Sequence, residues 1–99
     1  MIITTGGTGF SPRDVTPEAA RAAIEREAPG ISEYLRAQSQ KLTPRAMLSR
    51  GVSGIRKKTL IINFPGSIKA VKESVEIIYK PILHGIDILI SRDSECGGD

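Results

Sequence analysis

Several residue types that define common classes of protein are scarce in this chain of 99 residues. It has no tryptophan, one histidine (His84) and one cysteine (Cys96). A single cysteine cannot form an internal disulfide, and one histidine with one cysteine cannot supply the four ligands of a structural zinc site. We therefore expect neither a disulfide framework nor zinc, and we expect a reducing, cytoplasmic setting.

Long apolar runs and clustered aromatic residues are missing as well. No stretch approaches the roughly 18 apolar residues that a membrane span needs, and residues 1–5 lack the basic and apolar regions of a signal peptide. The net charge of +3 admits an anionic partner. However, the chain has only two Phe and two Tyr, and none is interleaved with basic residues as in nucleic-acid binders. We therefore expect neither a membrane nor a nucleic acid as partner.

The order of apolar and turn-forming residues predicts an α/β fold with ligands at its strand-to-helix turns. Residues 1–5 are expected to form a buried strand, and residues 60–62 the centre of a fully buried one. The predicted strands cover residues 1–5, 51–56 and 59–64. The predicted helices cover residues 16–28 and 31–40, a short turn from Thr43-Pro44, and a long closing segment after Ser67.

Capping residues and prolines set the expected helix boundaries. Thr16 and Pro17 suit the start of the first helix, and Pro29-Gly30 predicts its end near Ala28.

The closing helix is expected to be kinked or restarted at Pro81. Its inward positions are predicted to be Ile68, Val71, Val75, Ile78, Ile82, Ile86, Leu89 and Ile90. The domain is predicted to cover residues 1–90, followed by a flexible tail over 91–99.

Two predicted strand-to-helix turns could bind an anion. Glycines let backbone N–H groups crowd around a phosphate without steric conflict, and the first turn consists of Gly6, Gly7, Thr8 and Gly9. Its spacing fits neither a P-loop nor a dinucleotide-binding motif, so a simple tight turn is an equal alternative. The second turn could present donors at a helix N-terminus or merely cap that helix, and it consists of Pro65, Gly66 and Ser67.

Charged side chains near these turns leave two interpretations open. Asp14 could hold Mg²⁺ beside the glycine loop, or it could favourably neutralise the N-terminus of the next helix. Arg50, Arg56, Lys57 and Lys58 form a loose basic cluster, which we interpret as a solvated sheet edge that discourages pairing with other chains.

Six stretches together resemble the MoaB/Mog family of molybdopterin adenylyltransferases, which includes the gephyrin G domain. They are residues 4–9 (TTGGTG), 13–18 (RDVTPE), 24–30 (IEREAPG), 47–50 (MLSR), 54–56 (GIR) and 60–66 (LIINFPG). The resemblance extends over nearly all of residues 2–90. Thr8 and the run from Arg13 to Thr16 separate the chain from related insertase and competence-damage-like proteins.

The resemblance implies a three-layer α/β fold with a central, mostly parallel sheet that assembles as a homotrimer in the cytoplasm. It also implies a reaction with Mg²⁺ and ATP. The terminal phosphate of molybdopterin attacks the α-phosphate of ATP, which gives adenylyl-molybdopterin and pyrophosphate. A molybdenum insertase would be a further partner.

The site residues follow from the same resemblance. Asp14 matches the family aspartate needed for turnover, which implies a catalytic role with Mg²⁺ or at the transition state. Ser39 falls where the family places a ligand-binding hydroxyl. The other residues implied to bind substrate are Gly6, Gly7, Thr8, Gly9, Pro65, Gly66 and Ser67.

Members of this family have further chain before the strand at residues 1–5, so the sequence is expected to represent an N-terminally truncated domain. Two functions stay open: an adenylyltransferase, and a non-catalytic molybdopterin-binding or trimerising module. Asp14 and the glycine loop favour the enzyme, whereas a missing N-terminal part favours the module. A basic nucleic-acid binder is the third alternative.

Overall fold

The computed structural model describes residues 1–91, which form one α/β unit. The strands are β1 (Ile2–Thr5), β2 (Arg26–Glu27), β3 (Ser53–Arg56) and β4 (Thr59–Phe64). The helices are α1 (Thr16–Ala23), α2 (Pro29–Gln40) and α3 (Ile68–Ile90), with a short 3-10 helix at Pro44–Leu48. Cys96 and most of the predicted flexible tail lie outside the described residues.

The four strands form one mixed sheet in the order β1-β4-β3-β2. β1 runs parallel to β4, whereas β3 is antiparallel to both β4 and β2. The α/β class is therefore confirmed, but this part of the sheet is not mostly parallel as expected. The two-residue connection between β3 and β4 explains the difference, because it is too short for a parallel crossover. Lys57 in this turn has φ +54°, which is the left-handed conformation that such tight hairpins require.

Helices cover both faces of the sheet and give three layers. Residues paired between neighbouring strands point to the same face. Ser53 pairs with Ile62 on the face that α2 contacts through Ser32. Gly54 pairs with Ile61 on the opposite face, where a Cβ atom at Gly54 would lie 2.4 Å from Cγ2 of Ile24, just after α1. Only glycine allows this close approach of the segment after α1 to the sheet.

The main hydrophobic core lies between β4, α2 and α3. β4 is an inner strand whose residues 60–64 are buried, as predicted for residues 60–62, because it has a neighbouring strand on each side and helices on both faces. The fully buried or nearly buried members of this core are Leu35, Leu60, Ile62, Phe64, Ile78 and Ile82.

The prediction that β1 is buried is wrong. Ile2 is 52% exposed and Ile3 is 37% exposed. Within residues 1–91 the strand lies at the edge of the sheet and has β4 as its neighbour on one side. A short run of β-branched residues predicts a strand but does not tell an edge from a centre.

The predicted helix over residues 16–28 ends early, at Ala23. Ile24 adopts an extended conformation with ψ 131°, and Arg26 and Glu27 then pair with β3 as β2. Pairing with β3 outweighs the local helical pattern. Pro29 consequently starts α2 instead of ending the previous helix, which is the other role that proline has in the first turn.

The closing helix is continuous from Ile68 to Ile90, so it does not restart at Pro81. Pro81 is on the exposed face, where water can hydrate the carbonyl group that loses its donor. Ile78 and Ile82 are buried as predicted, but Ile68 is 85% exposed, Val75 is 44% exposed and Ile90 is 53% exposed.

Ser74 explains why the buried face of α3 differs from the predicted one. Its small side chain is 1% exposed and lies in line with the buried Ile78 and Ile82. The buried positions thus follow a four-residue spacing that includes a serine, which a search for apolar residues misses.

Among residues 1–91, no helix combines the length and apolar content needed to cross a membrane.

A buried pair of serines replaces the missing side-chain cap of α2. The residue before α2 is Ala28, which has no capping group. The Ser53 hydroxyl on β3 accepts from the backbone N–H of Ser32 at 3.1 Å and from its hydroxyl at 2.8 Å. It donates in turn to the carbonyl of Ala28 at 2.7 Å. One hydroxyl of the sheet therefore fixes the start of α2.

We expect Ser53→Ala to lower the free energy of unfolding by about 1–3 kcal/mol, because it leaves buried groups of Ser32 without their partner. Glu33→Ala, on the exposed side of the same helix, should change it by about 0.5 kcal/mol or less. Urea unfolding measures both variants. Equal values for the two variants would contradict the capping role of Ser53.

Candidate functional site

The two predicted ligand turns lie side by side at one edge of the sheet. β1 and β4 are parallel neighbours in which Thr5 pairs with Phe64, so both strands end at the same edge of the sheet. The N–H of Gly6 donates to the carbonyl of Phe64 at 3.0 Å. A Cβ atom at Gly66 would lie 3.0 Å from Cα of Gly6, so the two turns touch.

Asn63, near the end of β4, connects this strand to β1 and to the segment before β3. Its side-chain amide donates to the Thr4 hydroxyl at 2.9 Å, and its side-chain carbonyl accepts from the N–H of Val52 at 3.1 Å. Asn63 is 3% exposed. A buried amide with both ends bonded thus holds β1 and the segment before β3 in register at the site.

The glycine loop adopts a left-handed backbone conformation at two of its positions. Gly6 has φ +87° and Gly7 has φ +72°, conformations that favour glycine. The carbonyl of Gly7 accepts from the N–H of Thr16 at 3.1 Å, which joins the loop to the first residue of α1. Within the described part of the chain, the N–H groups of Gly7, Thr8 and Gly9 donate to no protein acceptor. Three successive amide donors are therefore unpaired within the described residues, and Thr8 among them is only 6% exposed.

A cavity of about 360 Å³ lies against this loop. Four of the predicted substrate-binding residues line it, namely Thr8, Gly9, Ser39 and Pro65. The remaining lining residues come from the loop, the segment around the 3-10 helix and the first turns of α3: Phe10, Thr43, Arg45, Ala46, Leu48, Ser49, Ala70 and Glu73. Only four of these twelve residues were predicted to bind substrate. Leu48 and Ser49 lie in the family-like stretch at residues 47–50, but no role was assigned to them, and the other six lie outside the six stretches.

Asp14 belongs to the wall of the loop and does not line this cavity. Its Oδ2 accepts from the N–H of Ser11 at 2.9 Å, and its own N–H donates to the carbonyl of Ser11 at 2.9 Å. A Cβ atom at Gly9 would lie 2.9 Å from the same carboxylate oxygen. Asp14 thus closes the loop from Gly9 onward and places a negative charge beside it.

The residues of the second turn occupy different positions. Pro65 lines the cavity, whereas Gly66 packs against Gly6. The Ser67 hydroxyl accepts from the N–H of Ala70 at 3.0 Å, which caps α3. This cap is the simpler of the two alternatives that the sequence left open for Ser67.

Arg50 was assigned to a solvated basic cluster at the sheet edge, and this interpretation is wrong. Its guanidinium donates through Nε to the carbonyl of Gly9 at 2.8 Å and through one terminal nitrogen to the carbonyl of Asp14 at 2.5 Å. The other terminal nitrogen donates to Glu18 at 2.6 Å. These partners lie 32 to 41 positions away, so no local pattern could have revealed them.

The contact between Arg50 and Glu18 changes the ionisation of both groups. The hydrogen bond from the Arg50 side chain is the largest cause that lowers the pKa of Glu18 below its ordinary value of 4.5. The same hydrogen bond raises the pKa of Arg50. The Glu18 side chain is 56% exposed, so solvent screens the pair and its role is mainly one of geometry.

Comparison with known protein families and curated proteins identifies close similarity over most of the chain. The model of a family described as "Probable molybdopterin binding domain" matches residues 1–85. Gephyrin from Dictyostelium discoideum is 48% identical over 92 residues, which is 93% of this chain and 13% of gephyrin. A molybdopterin adenylyltransferase from Helicobacter pylori is 42% identical over 92 residues, which is 93% of this chain and 52% of that enzyme.

Solved structures give the same result for the fold. The Mog protein from Mycobacterium ulcerans superposes with a TM-score of 0.85 at 39% identity and covers 89% of this chain. MoaB from Thermus thermophilus superposes with a TM-score of 0.81 at 48% identity and covers 89% of this chain. The match includes 58% of the first structure and 55% of the second. The chain thus spans about half the length of the adenylyltransferase and of the solved structures it matches.

Gly7→Ala is expected to destabilise the protein by about 1–3 kcal/mol, because alanine is strained at a left-handed φ. The added Cβ atom would also lie 2.1 Å from the Thr16 hydroxyl. Gly30→Ala is the matched control, since a Cβ atom there meets nothing within 4 Å. It should leave stability unchanged or raise it by about 1 kcal/mol. Thermal unfolding distinguishes the two variants, and a harmless Gly7→Ala would contradict the loop geometry.

Glu18→Gln should reduce thermal stability at neutral pH, and the difference from the unchanged protein should vanish in acid. A carboxyl group with a lowered pKa in the folded protein stabilises it above the unfolded pKa, here about 4.5. That contribution is lost as the pH falls through the lower, folded pKa. Unfolding temperatures from pH 7 to pH 3 measure this. A difference that stays constant over that range would contradict the ion pair with Arg50.

Proposed function

We propose a function from one premise: this chain belongs to the family of probable molybdopterin-binding domains. The proposed function is in molybdenum cofactor biosynthesis, and it has two parts. The site binds molybdopterin, and it takes part in the transfer of an adenylyl group from Mg-ATP to the terminal phosphate of molybdopterin. A phosphate oxygen forms a bond to the α-phosphorus of ATP, the bond to the β-phosphate breaks, and pyrophosphate leaves.

The observation that carries the proposal is the run of available donors in the glycine loop. Gly7, Thr8 and Gly9 offer three successive backbone N–H groups at the C-terminal end of β1. Successive backbone amides of this kind can bind a phosphate, and their lack of a protein partner among residues 1–91 supports that role here. This supports a role in which the loop holds the terminal phosphate of molybdopterin.

The cavity beside the loop supports binding of the rest of the molecule. Its volume of about 360 Å³ lies within the range of small-molecule sites. Phe10, Ala46, Leu48 and Pro65 supply apolar walls for a flat ring system, and Ser39 supplies a hydroxyl group near them. A mostly apolar site with a few polar groups favours an organic ligand with a phosphate at one end.

Asp14 is the residue to which we assign the magnesium function. Mg²⁺ is commonly bound by one or two carboxylates together with the phosphates of a nucleotide, and Asp14 is a carboxylate at the rim of the loop. In this proposal Asp14 supplies one oxygen ligand and the phosphates of ATP supply others. Magnesium would neutralise charge on the transferring phosphate, while the backbone donors of the loop hold the attacking phosphate in place.

Three finer parts of the proposal concern the whole protein. By analogy with the family, we propose a cytoplasmic homotrimer that passes its product to a molybdenum insertase. The non-catalytic alternative, a molybdopterin-binding or trimerising module, keeps the same cavity and loop but lacks adenylyl transfer. The two alternatives differ only in pyrophosphate release.

Asp14→Asn should lower the rate of adenylyl transfer about 100-fold, because it removes one electrostatic contributor to the reaction. Binding of molybdopterin should change little, since the loop amides and the cavity remain. Pyrophosphate release with Mg-ATP and molybdopterin measures the rate, and quenching of protein or pterin fluorescence measures binding.

Asp87→Asn, on the exposed side of α3, is the matched control and should leave both quantities unchanged. An Asp14→Asn variant with full activity would contradict the role of Asp14. If the unchanged protein binds molybdopterin and releases no pyrophosphate, the non-catalytic module is the correct function.

A further inference from the structure

We propose that Arg50 is the positioning residue of the site: its guanidinium group holds the backbone of residues 9–14 in the shape that places Asp14 beside the glycine loop. This inference deepens the proposed function and rests on it for the catalytic consequence. Its structural part stands on the contacts of Arg50 alone.

The contacts of Arg50 lie at both ends of the segment formed by residues 9–14. The backbone N–H of Arg50 donates to the carbonyl of Thr8 at 2.8 Å. Its side chain reaches the carbonyl of Gly9 at 2.8 Å and that of Asp14 at 2.5 Å. Gly9 and Asp14 are the first and last residues of the loop that carries the proposed magnesium ligand. One residue therefore fixes the start and the end of this loop.

Glu18 fixes the guanidinium itself. It accepts from one terminal nitrogen of Arg50 at 2.6 Å, and from the other at 3.4 Å. Glu18 lies in the first turn of α1, which is joined to the loop through Thr16 and Gly7. The side chain of Arg50 is 35% exposed, so it is partly enclosed between the loop and α1.

Only the planar, forked guanidinium can make these contacts together. Nε and the two terminal nitrogens point in fixed and different directions, so each reaches a different acceptor. A lysine ammonium is a single point with the same charge, and it could satisfy one or two of these acceptors at most. The proposal thus requires the geometry of arginine at position 50 and not merely its positive charge.

Loop shape is linked to reaction rate because small displacements of a reacting group are costly. A misplacement of about 1 Å can reduce the rate about 100-fold. Ser11 donates to the Asp14 carboxylate at 2.9 Å, so a loop that loses its shape also loses the orientation of that carboxylate. Loss of the Arg50 contacts should therefore lower kcat, while the cavity that binds the pterin remains.

Arg50→Lys is the variant that tests the proposal. The matched control is Arg56→Lys, because Arg56 also donates to a backbone carbonyl, that of Ala23 at 3.1 Å, and also lies near a carboxylate, Glu25 at 4.0 Å. Amide hydrogen exchange over residues 9–14 measures the shape of the loop without any reference to activity. Steady-state pyrophosphate release then gives kcat and the KM for molybdopterin separately.

For Arg50→Lys we expect the N–H groups of Ser11 and Asp14 to exchange about 10-fold faster or more, because their hydrogen bonds depend on the closed loop. We expect kcat to fall about 10- to 100-fold with the KM for molybdopterin changed less than about threefold. Arg56→Lys should leave both exchange and kcat unchanged.

Unchanged exchange of Ser11 and Asp14 in Arg50→Lys would overturn the positioning role, whatever the activity of the protein. Faster exchange with kcat preserved would overturn the catalytic consequence and keep Arg50 as a structural residue only. Absence of pyrophosphate release from the unchanged protein would refute the proposed function instead, and the exchange experiment would still decide the role of Arg50 in the loop.

Discussion

The parallel pairing of β1 with β4 is the constraint on which the rest of the site depends. Strands that run in the same direction deliver their connecting turns to the same edge of the sheet. Thr5 and Phe64 are paired, so the glycine loop and the turn at Pro65-Gly66 start from adjacent positions. Asn63 ties both to the segment before β3, from which Arg50 reaches back to the loop. One pairing thus brings together segments that are about 60 residues apart.

The glycine loop and Arg50 act together to set the shape of the site. Glycines at positions 6 and 7 allow the left-handed backbone that leaves the following N–H groups available. That freedom would also allow the loop to adopt other shapes, because glycine restricts the backbone least. The guanidinium of Arg50 restricts the backbone of this segment, because it donates to the carbonyls of Gly9 and Asp14. The amides of residues 7–9 stay unpaired within the described residues, whereas the carbonyls of Gly9 and Asp14 accept from the arginine.

Local features of the sequence were sufficient for the elements and insufficient for their contacts. Capping at Ser67, the apolar run of β4 and the glycine loop were predictable, because each depends on residues close in sequence. The end of α1 at Ala23 was not, because pairing of Arg26 and Glu27 with β3 decides it. The exposure of β1, the buried Ser74 and the contacts of Arg50 depend in the same way on distant partners. The resemblance to a family is what predicted roles in the site for Asp14 and Ser39, because local patterns alone left both residues ambiguous.

The central claim is that molybdopterin binds with its phosphate at the glycine loop, and backbone NMR of the ¹⁵N-labelled protein tests it most directly. On titration with molybdopterin, the amide signals of Gly7, Thr8 and Gly9 should shift first and farthest, together with that of Ser39. The amides of Lys57 and Lys58, in the basic turn at the opposite end of β4, should stay in place. Shifts confined to that basic turn, with the glycine loop unaffected, would contradict the account.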